Sequence, residues 1–487
     1  MKQSRFLSFL LAAAFVVTSL TGCGGDSGQT SANGSTANTK TTVIETETET
    51  QTETTKEPVE MTTITIWSGS KGTKECFERL AEEFNNSEGK ELGIEIEYIV
   101  QADYNKVAEL AFETGQGPDF FANFSTLAAI VEKGYAAPIT DLPGGEELVE
   151  PYLESGLLEE NKHVYNGEVY SLPGSATARG LVYNKDMFKA AGLVDENGEA
   201  TPPKTYDEMR EYAEILTDVS KGQYGFIIPL KWGSWVAADL VTSIMGCAGF
   251  DQFNPITGEY DYSVLVPILE TYEGMIADGS VYPDMEGLDN DTARAYFSSG
   301  CVGMKIAQSY DVAVFNSQFP ATCDWGVAPL PVLDEEERYY HNMKISGTVF
   351  INKASLETKD PEKMKKVLEW YASDHVRQTL YAEGLELPAD FSQVEGTELN
   401  VELNGWAEFA AIAEESRGLN AKPSYDMTGL TSLNDRILTD VLSGNKTAQE
   451  VIEQYNQDIN EGVKKYYEAN PQESLEDFLD PDWDVSR

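Results

Sequence analysis

Three histidines, five cysteines and 82 acidic residues are the side chains of this sequence that could do acid–base, nucleophilic or metal chemistry, and their spacing supports none of it. His163, His341 and His375 stand isolated, and there is no G-x-S-x-G elbow, H-E-x-x-H zinc helix or Walker phosphate loop. Beyond Cys23, the cysteines at 76, 247, 301 and 323 form no C-x-x-C pair or metal-like spacing, which leaves their disulfide state open. The tail around Asp480, Asp482 and Asp484 lacks the glycine and terminal glutamate of a calcium loop. Paired carboxylates can hydrolyse glycosides, and a glycoside hydrolase is one alternative reading. The carboxylates nevertheless lie along helix faces and in one acidic tract, with no pair singled out. The expectation is no catalysis, no metal and no cofactor.

Cys23 is the exception, because its surroundings fit a covalent modification. Lys2 and Arg5 precede an apolar run from Phe6 to Leu20, the order of a secretory signal. That run is short for a membrane span of about 20 residues, and Ser8, Thr18 and Ser19 interrupt it. It ends in Leu20-Thr21-Gly22-Cys23 followed by Gly24 and Gly25, which resembles the bacterial lipobox. Small residues admit a signal peptidase there, and the thiol can take a diacylglycerol thioether. Residues 1–22 are therefore expected to be a signal peptide and Cys23 a lipidated N-terminus. From 23 to 60 the chain is Gly, Ser, Thr and Glu with almost nothing to bury, a tether of about 37 residues reaching about 30–36 Å. The expected location is the extracytoplasmic face of a cell membrane, with a Gram-positive surface suiting the tether.

The net charge of −47 excludes nucleic acid, or an anionic bilayer held by charge, as partners. The remaining ~427 residues exceed one hydrophobic core and suit two lobes. Thr63 to Trp67 alternate as a strand, and Phe77, Leu80, Ala81 and Phe84 share one helix face. Ile94, Ile96 and Tyr98 give a second strand, Val107, Leu110 and Ala111 a helix stopped by Gly115, and Phe120-Phe121 a third strand. This order predicts an α/β fold with a parallel sheet. Thr205 with Glu208, and Thr447 with Glu450, read as capping boxes. In such sheets ligands sit beyond the strands' carboxyl ends, which points to the segments 68–71 and 123–126.

Nine segments, in order, then carry a resemblance: ITIW, GIEIEYI, GQGPDFF, GEVYSLPGSATARGLVYNKDMFKAAGL, PPKTYDEM, FSSGCVGMKIAQSYD, WGVAPLP, SGTVFINKAS and LSGNKTAQEVIEQ. Over nearly all of residues 61–465 the chain resembles the extracellular solute-binding proteins of carbohydrate ABC importers, the family that includes maltose-binding protein. The resemblance implies a two-lobed fold of the periplasmic-binding-protein type II, each lobe a mainly parallel sheet flanked by helices, with the ligand cleft between them. It implies lobe 1 from 61–175 plus 345–400 and lobe 2 from 176–344 plus 401–487, with crossovers near 174–178 and 341–346. It also implies a monomer that binds a carbohydrate and delivers it to the membrane subunits of an ABC permease. A peptide or another small solute is the alternative ligand on the same fold.

A sugar needs hydroxyl partners around a rim and aromatic faces to stack on. By motif position the resemblance puts Ser70 and Lys71 after the first strand, and Asn123 and Ser125 after GPDFF. In maltose binders an aromatic and an acidic residue stand at the latter place, and Thr177 replaces a further acidic contact, so the chain departs from a maltose site. Trp232 and Trp235, three apart on a loop before Ala237-Ala238, match stacking positions, as does Tyr310, with Asp311 beside it. Trp67 at the end of the first strand can face core or cleft. Gly347 suits close backbone approach or a hinge. Asp119 reads as a brace, and the few basic residues favour a neutral sugar.

Overall fold

The computed structural model describes residues 60–483, apart from 243, 249–250, 336–341 and 421, and without the side chains of 238, 242, 247 and 248. The expected signal segment, the expected lipidation site Cys23 and the expected tether up to residue 59 lie outside the described residues.

Alternating side chains start the first sheet. The strand Thr62–Ser68 buries Ile64 and Ile66 and runs parallel to Ile94–Val100, with Ile64 opposite Ile96. Between them the helix Lys74–Asn86 buries Phe77, Leu80, Ala81 and Phe84, the stripe read from the sequence. Gly93 ends the connecting turn at φ 69°, a left-handed conformation that side chains with a Cβ resist. Phe120–Phe121 lies parallel on the other side of the first strand, followed in sheet order by Phe350–Asn352 and Ala136–Ala137, both antiparallel pairings. Asp119 is the brace expected of it. It accepts hydrogen bonds from Thr65 N–H (2.8 Å) and Ser355 Oγ (2.8 Å) and pairs with Lys359 at 3.0 Å.

The second sheet centres on Arg179–Asn184 and Val302–Gln308, antiparallel and buried along their whole length. Trp325–Ala328 flanks the first of these antiparallel, and Tyr224–Phe226 flanks the second in parallel. Both sheets are mixed, yet each is mainly parallel in direction as expected: four of the five strands of the first run one way with Phe350–Asn352 against them, and three of the four of the second run one way with Arg179–Asn184 against them. The strand Phe350–Asn352 comes back from the second sheet and enters the first against the prevailing direction, a placement that local periodicity cannot encode.

A three-stranded ladder joins the two. Pro173–Thr177 pairs antiparallel with Lys344–Gly347 on one side and Leu387–Pro388 on the other. Chain leaving the first sheet and chain returning to it thus run side by side. The helices Pro361–Ala372 and Asp374–Ala382 pack on the first sheet through Met364, Leu368 and Leu380. The later helices Trp406–Glu414 and Ala448–Ala469 cover opposite faces of the second. Both expected capping boxes form, at Thr205 with Glu208 and at Thr447 with Glu450. Cys76, Cys301 and Cys323 are free thiols. Among the described residues no helix is long and apolar enough to cross a membrane.

Candidate functional site

A cavity of about 470 Å³ opens where the carboxyl ends of the first-sheet strands meet the ladder. One wall is hydroxylic. Ser68 Oγ accepts from the Ser70 amide (3.1 Å), and Thr73 Oγ1 donates to Ser70 Oγ (2.9 Å). Asn123 closes this side, its Oδ1 held by the Ser125 amide at 3.0 Å in a tight turn beyond Phe120–Phe121. The strand Thr62–Ser68 and the two-residue strand beside it place these groups, since a polar residue just past a buried strand end has nowhere to go but the sheet's rim.

The floor is aromatic. Phe77 stacks on Tyr98 (4.8 Å between ring centres) and on Tyr371 (4.9 Å), and all three line the cavity. Tyr98 Oη is buried among the hydroxyls of Ser68, Thr73 and Tyr371, and burial pushes its phenol up to about 12 against their pull. Arg377, 4% exposed, spans the ladder and the floor. Its guanidinium donates to Gly174 O (3.2 Å) and Tyr371 O (2.8 Å), lies 5.6 Å from the Tyr371 ring and pairs with Glu386 at 3.8 Å. Burial raises the Glu386 carboxyl, and Arg377 offsets part of that rise.

The third wall is the ladder itself, with Ser175, Lys344, Ser346 and Gly347. A Cβ at Gly347 would come 2.4 Å from Ser171 Oγ, so close packing explains the glycine at this lining position. Behind it His163 is fully buried, and its Nδ1 accepts from the Glu159 amide at 3.0 Å. The ring is therefore neutral with its proton on Nε2. Burial, helped by the Lys162 charge, drives its pKa down to about 4. Glu159 is raised by burial against the pull of Lys162, with which it pairs.

Past the ladder, the second sheet presents a buried ionic group. Arg179 lies 3.6 Å from Asp239, Lys305 Nζ donates to Ile306 O (2.6 Å), and Asp311 pairs with Arg294 while accepting from the Gln308 amide at 3.0 Å. Burial lifts Asp239 to about 6 despite Lys305 and Arg179. At the carboxyl end of Val302–Gln308, Tyr310 stands 45% exposed with the Arg294 guanidinium 5.6 Å from its ring.

Of the residues singled out in the sequence, Ser70, Asn123 and Gly347 line the cavity. Lys71 and Ser125 are exposed beside it without lining it, and Thr177 is half-buried in the ladder opposite Lys344. Trp67 is half-buried against the cluster around Tyr104 and Phe124, on the core side of its two readings. Two expectations are corrected. Trp235 is 2% exposed, edge-on to Tyr272 at 5.4 Å, because the apolar face of the following segment Val236–Thr242 carries it into the core. Asp311 is fully buried and already spent on Arg294. Trp232 is half-buried at the edge of the same core, and Tyr310 keeps the exposure a stacking residue needs. The aromatic floor was missed. Tyr98 reads as one more residue of an alternating strand, and only its hydroxyl at the strand's carboxyl end hinted otherwise.

Residues 71–378 match the family described as bacterial extracellular solute-binding protein. Among curated proteins, the maltotriose-binding protein of Pyrococcus abyssi is 25% identical over 321 residues, covering 64% of this chain and 62% of that protein. The sn-glycerol-3-phosphate-binding periplasmic protein of Escherichia coli is 26% identical over 302 residues, covering 59% and 65%. The chain thus spans somewhat under two thirds of the length of these relatives. Among solved structures, the sugar-binding protein MalE of Xanthomonas citri superposes with a TM-score of 0.59 at 16% identity, covering 85% of this chain and all of that one. The acarbose-binding GacH receptor of Streptomyces glaucescens gives 0.58 at 18% identity, covering 82% and 98%. These likenesses establish the fold, bilobed and α/β, and the match over 71–378 establishes more: the chain belongs to the bacterial extracellular solute-binding protein family.

Proposed function

We propose that this protein captures a carbohydrate outside the cytoplasmic membrane and delivers it, chemically unchanged, to the permease of an ABC importer. The observation that carries the reading is the position of the cavity, at the carboxyl ends of the first-sheet strands and against the ladder through which the chain crosses twice. Hydroxyls of Ser68, Ser70 and Ser346 around an aromatic floor of Tyr98, Phe77 and Tyr371 match the two surfaces of a sugar. Lobe 1 comprises 61–175 and 345–400, and lobe 2 comprises 176–344 and 401–487. Closure about the ladder brings Tyr310 and Trp232 toward a ligand already held by Ser70, Asn123 and Gly347, with Lys71, Ser125 and Thr177 as outer positions. Closure populates the bound state because only the closed form makes both sets of contacts. Cys23 carries the lipid, and the acidic tether holds a monomer at the cell surface, which suits a Gram-positive envelope.

The test is a thermal-shift screen of the purified chain against neutral and acidic mono- and oligosaccharides, amino acids and short peptides. A ligand at 100 times its Kd adds about 2.7 kcal/mol. Stabilisation by one saccharide class, with the sugar recovered intact by chromatography, is the expected result. Stabilisation by peptides alone, or turnover of the sugar, overturns it.

A further inference from the structure

The chain has 35 basic residues against 82 acidic ones, yet its cavity inverts that ratio. Lys162, Lys344 and Arg377 line it beside a single carboxylate, Glu386. Two of the three cations have partners of their own, Lys162 with Glu159 and Arg377 with Glu386. Arg377 is further committed to two backbone carbonyls, which makes it a wall rather than a receptor. Lys344 has no ion-pair partner among the described residues. It is accessible to solvent and sits on the ladder strand Lys344–Gly347, directly opposite Thr177.

The field around Lys344 is positive. Its ammonium is held below the usual lysine range by partial burial first, then by the like charges of Lys162 and Arg179, with Glu159 the only opposing group. Lys422 is lowered in the same way, by burial and by Lys162, while Asp251 and Glu159 pull the other way. Two hydroxyls complete the setting. Ser171 Oγ, fully buried, lines the cavity with no acceptor among the described residues, and Tyr98 Oη lines it among the hydroxyls of Ser68, Thr73 and Tyr371. A cation with no ion pair of its own, in one cavity with a buried hydroxyl that lacks an acceptor, suits oxygen atoms bearing negative charge. A neutral ligand would close over Lys344 and leave it uncompensated, the arrangement that buried charges avoid.

We propose that the ligand carries an anionic group, a carboxylate or a phosphate monoester on a sugar, and that Lys344 receives it with Ser171 as a supporting donor. This rests on the carbohydrate reading and narrows it. It also reverses the neutral sugar favoured by composition alone, because the fold gathers scarce basic residues at one place. An ammonium is a compact point charge with rotatable donors, so one such group suits a single anionic substituent and leaves the rest of the sugar to the hydroxyl wall and aromatic floor.

Titration calorimetry of the full chain decides it, with maltotriose and xylotriose as neutral probes, trigalacturonate as the carboxylate arm and glucose 6-phosphate as the phosphate arm. The expected result is tighter binding in one acidic arm than by any neutral probe, with affinity reduced about tenfold or more in Lys344→Met and retained in Lys344→Arg. Whichever acidic arm binds identifies the anion. Unliganded melting temperatures of both variants near that of the parent show that the loss lies in binding. Should Lys344→Met fail to fold, the comparison of acidic with neutral probes and the Lys344→Arg variant still decide. A neutral sugar bound as tightly as its acidic counterparts, or acidic binding indifferent to Lys344→Met, overturns the anionic site while leaving the carbohydrate reading intact. Binding of no saccharide overturns both.

Discussion

His163 shows how a single buried side chain ties this molecule to pH. Its Nδ1 is occupied by the Glu159 amide and its Nε2 has no acceptor among the described residues, so protonation gains nothing inside the fold. With a folded pKa of about 4 against an ordinary 6.5, the unfolded chain binds the extra proton first. The contribution of His163 is therefore fully present above about pH 6.5, is lost as pH falls toward 4, and totals about 3 kcal/mol. Asp239, Glu159 and Glu386 are raised by burial and act in the opposite sense over an overlapping range, so the residue must be isolated by difference. Urea unfolding of the parent and of His163→Gln at pH 7 and at pH 4.5 should show the gap between them shifting against the parent at the lower pH. A constant gap would contradict the buried neutral ring. The site was legible at this scale only where motif position placed a polar residue past a strand, as at Ser70 and Asn123, or a glycine at a close approach, as at Gly347. Tyr98, Lys344 and the pair Tyr371 and Arg377 come from three distant segments, and nothing local marks them as neighbours.

Elements were legible where period and caps agree. The stripe of Lys74–Asn86, the alternation of Ile94–Val100 and the two capping boxes follow from residue spacing, because each records a local hydrogen-bond pattern or one apolar face. Strand direction did not, since Phe350–Asn352 and Arg179–Asn184 take their antiparallel sense from partners far away in the chain. The pair Trp232 and Trp235 failed for a related reason. Spacing alone puts both on one loop, whereas the segment Val236–Thr242 starts immediately after Trp235 and buries it with Val236 and Leu240. Trp235 is thus the anchor of that segment on the second sheet. Trp235→Ala should destabilise the protein by about 3–5 kcal/mol through the cavity it leaves, read by denaturant unfolding. A loss of ligand affinity with unchanged stability would instead return Trp235 to the cleft.

Across the whole molecule, the ladder Pro173–Thr177, Lys344–Gly347 and Leu387–Pro388 is the feature that couples the two sheets. Adjacent crossings turn about a common line, so the expected motion is a rotation of one lobe on the other. Small-angle scattering should record a smaller radius of gyration with saturating ligand than without, and an unchanged radius would argue against closure. The same arrangement reaches back to synthesis. The strand Phe350–Asn352 lies inside the first sheet, between Phe120–Phe121 and Ala136–Ala137, and the core of the second sheet depends on Leu433, Ile452 and Ile459. A nascent chain that has reached residue 340 therefore lacks a piece of both cores, the first being completed only at Leu380 and the second only at Val463. Interleaving the lobes in sequence keeps the precursor loose, and a loose chain is the one that can still be threaded through a translocation channel.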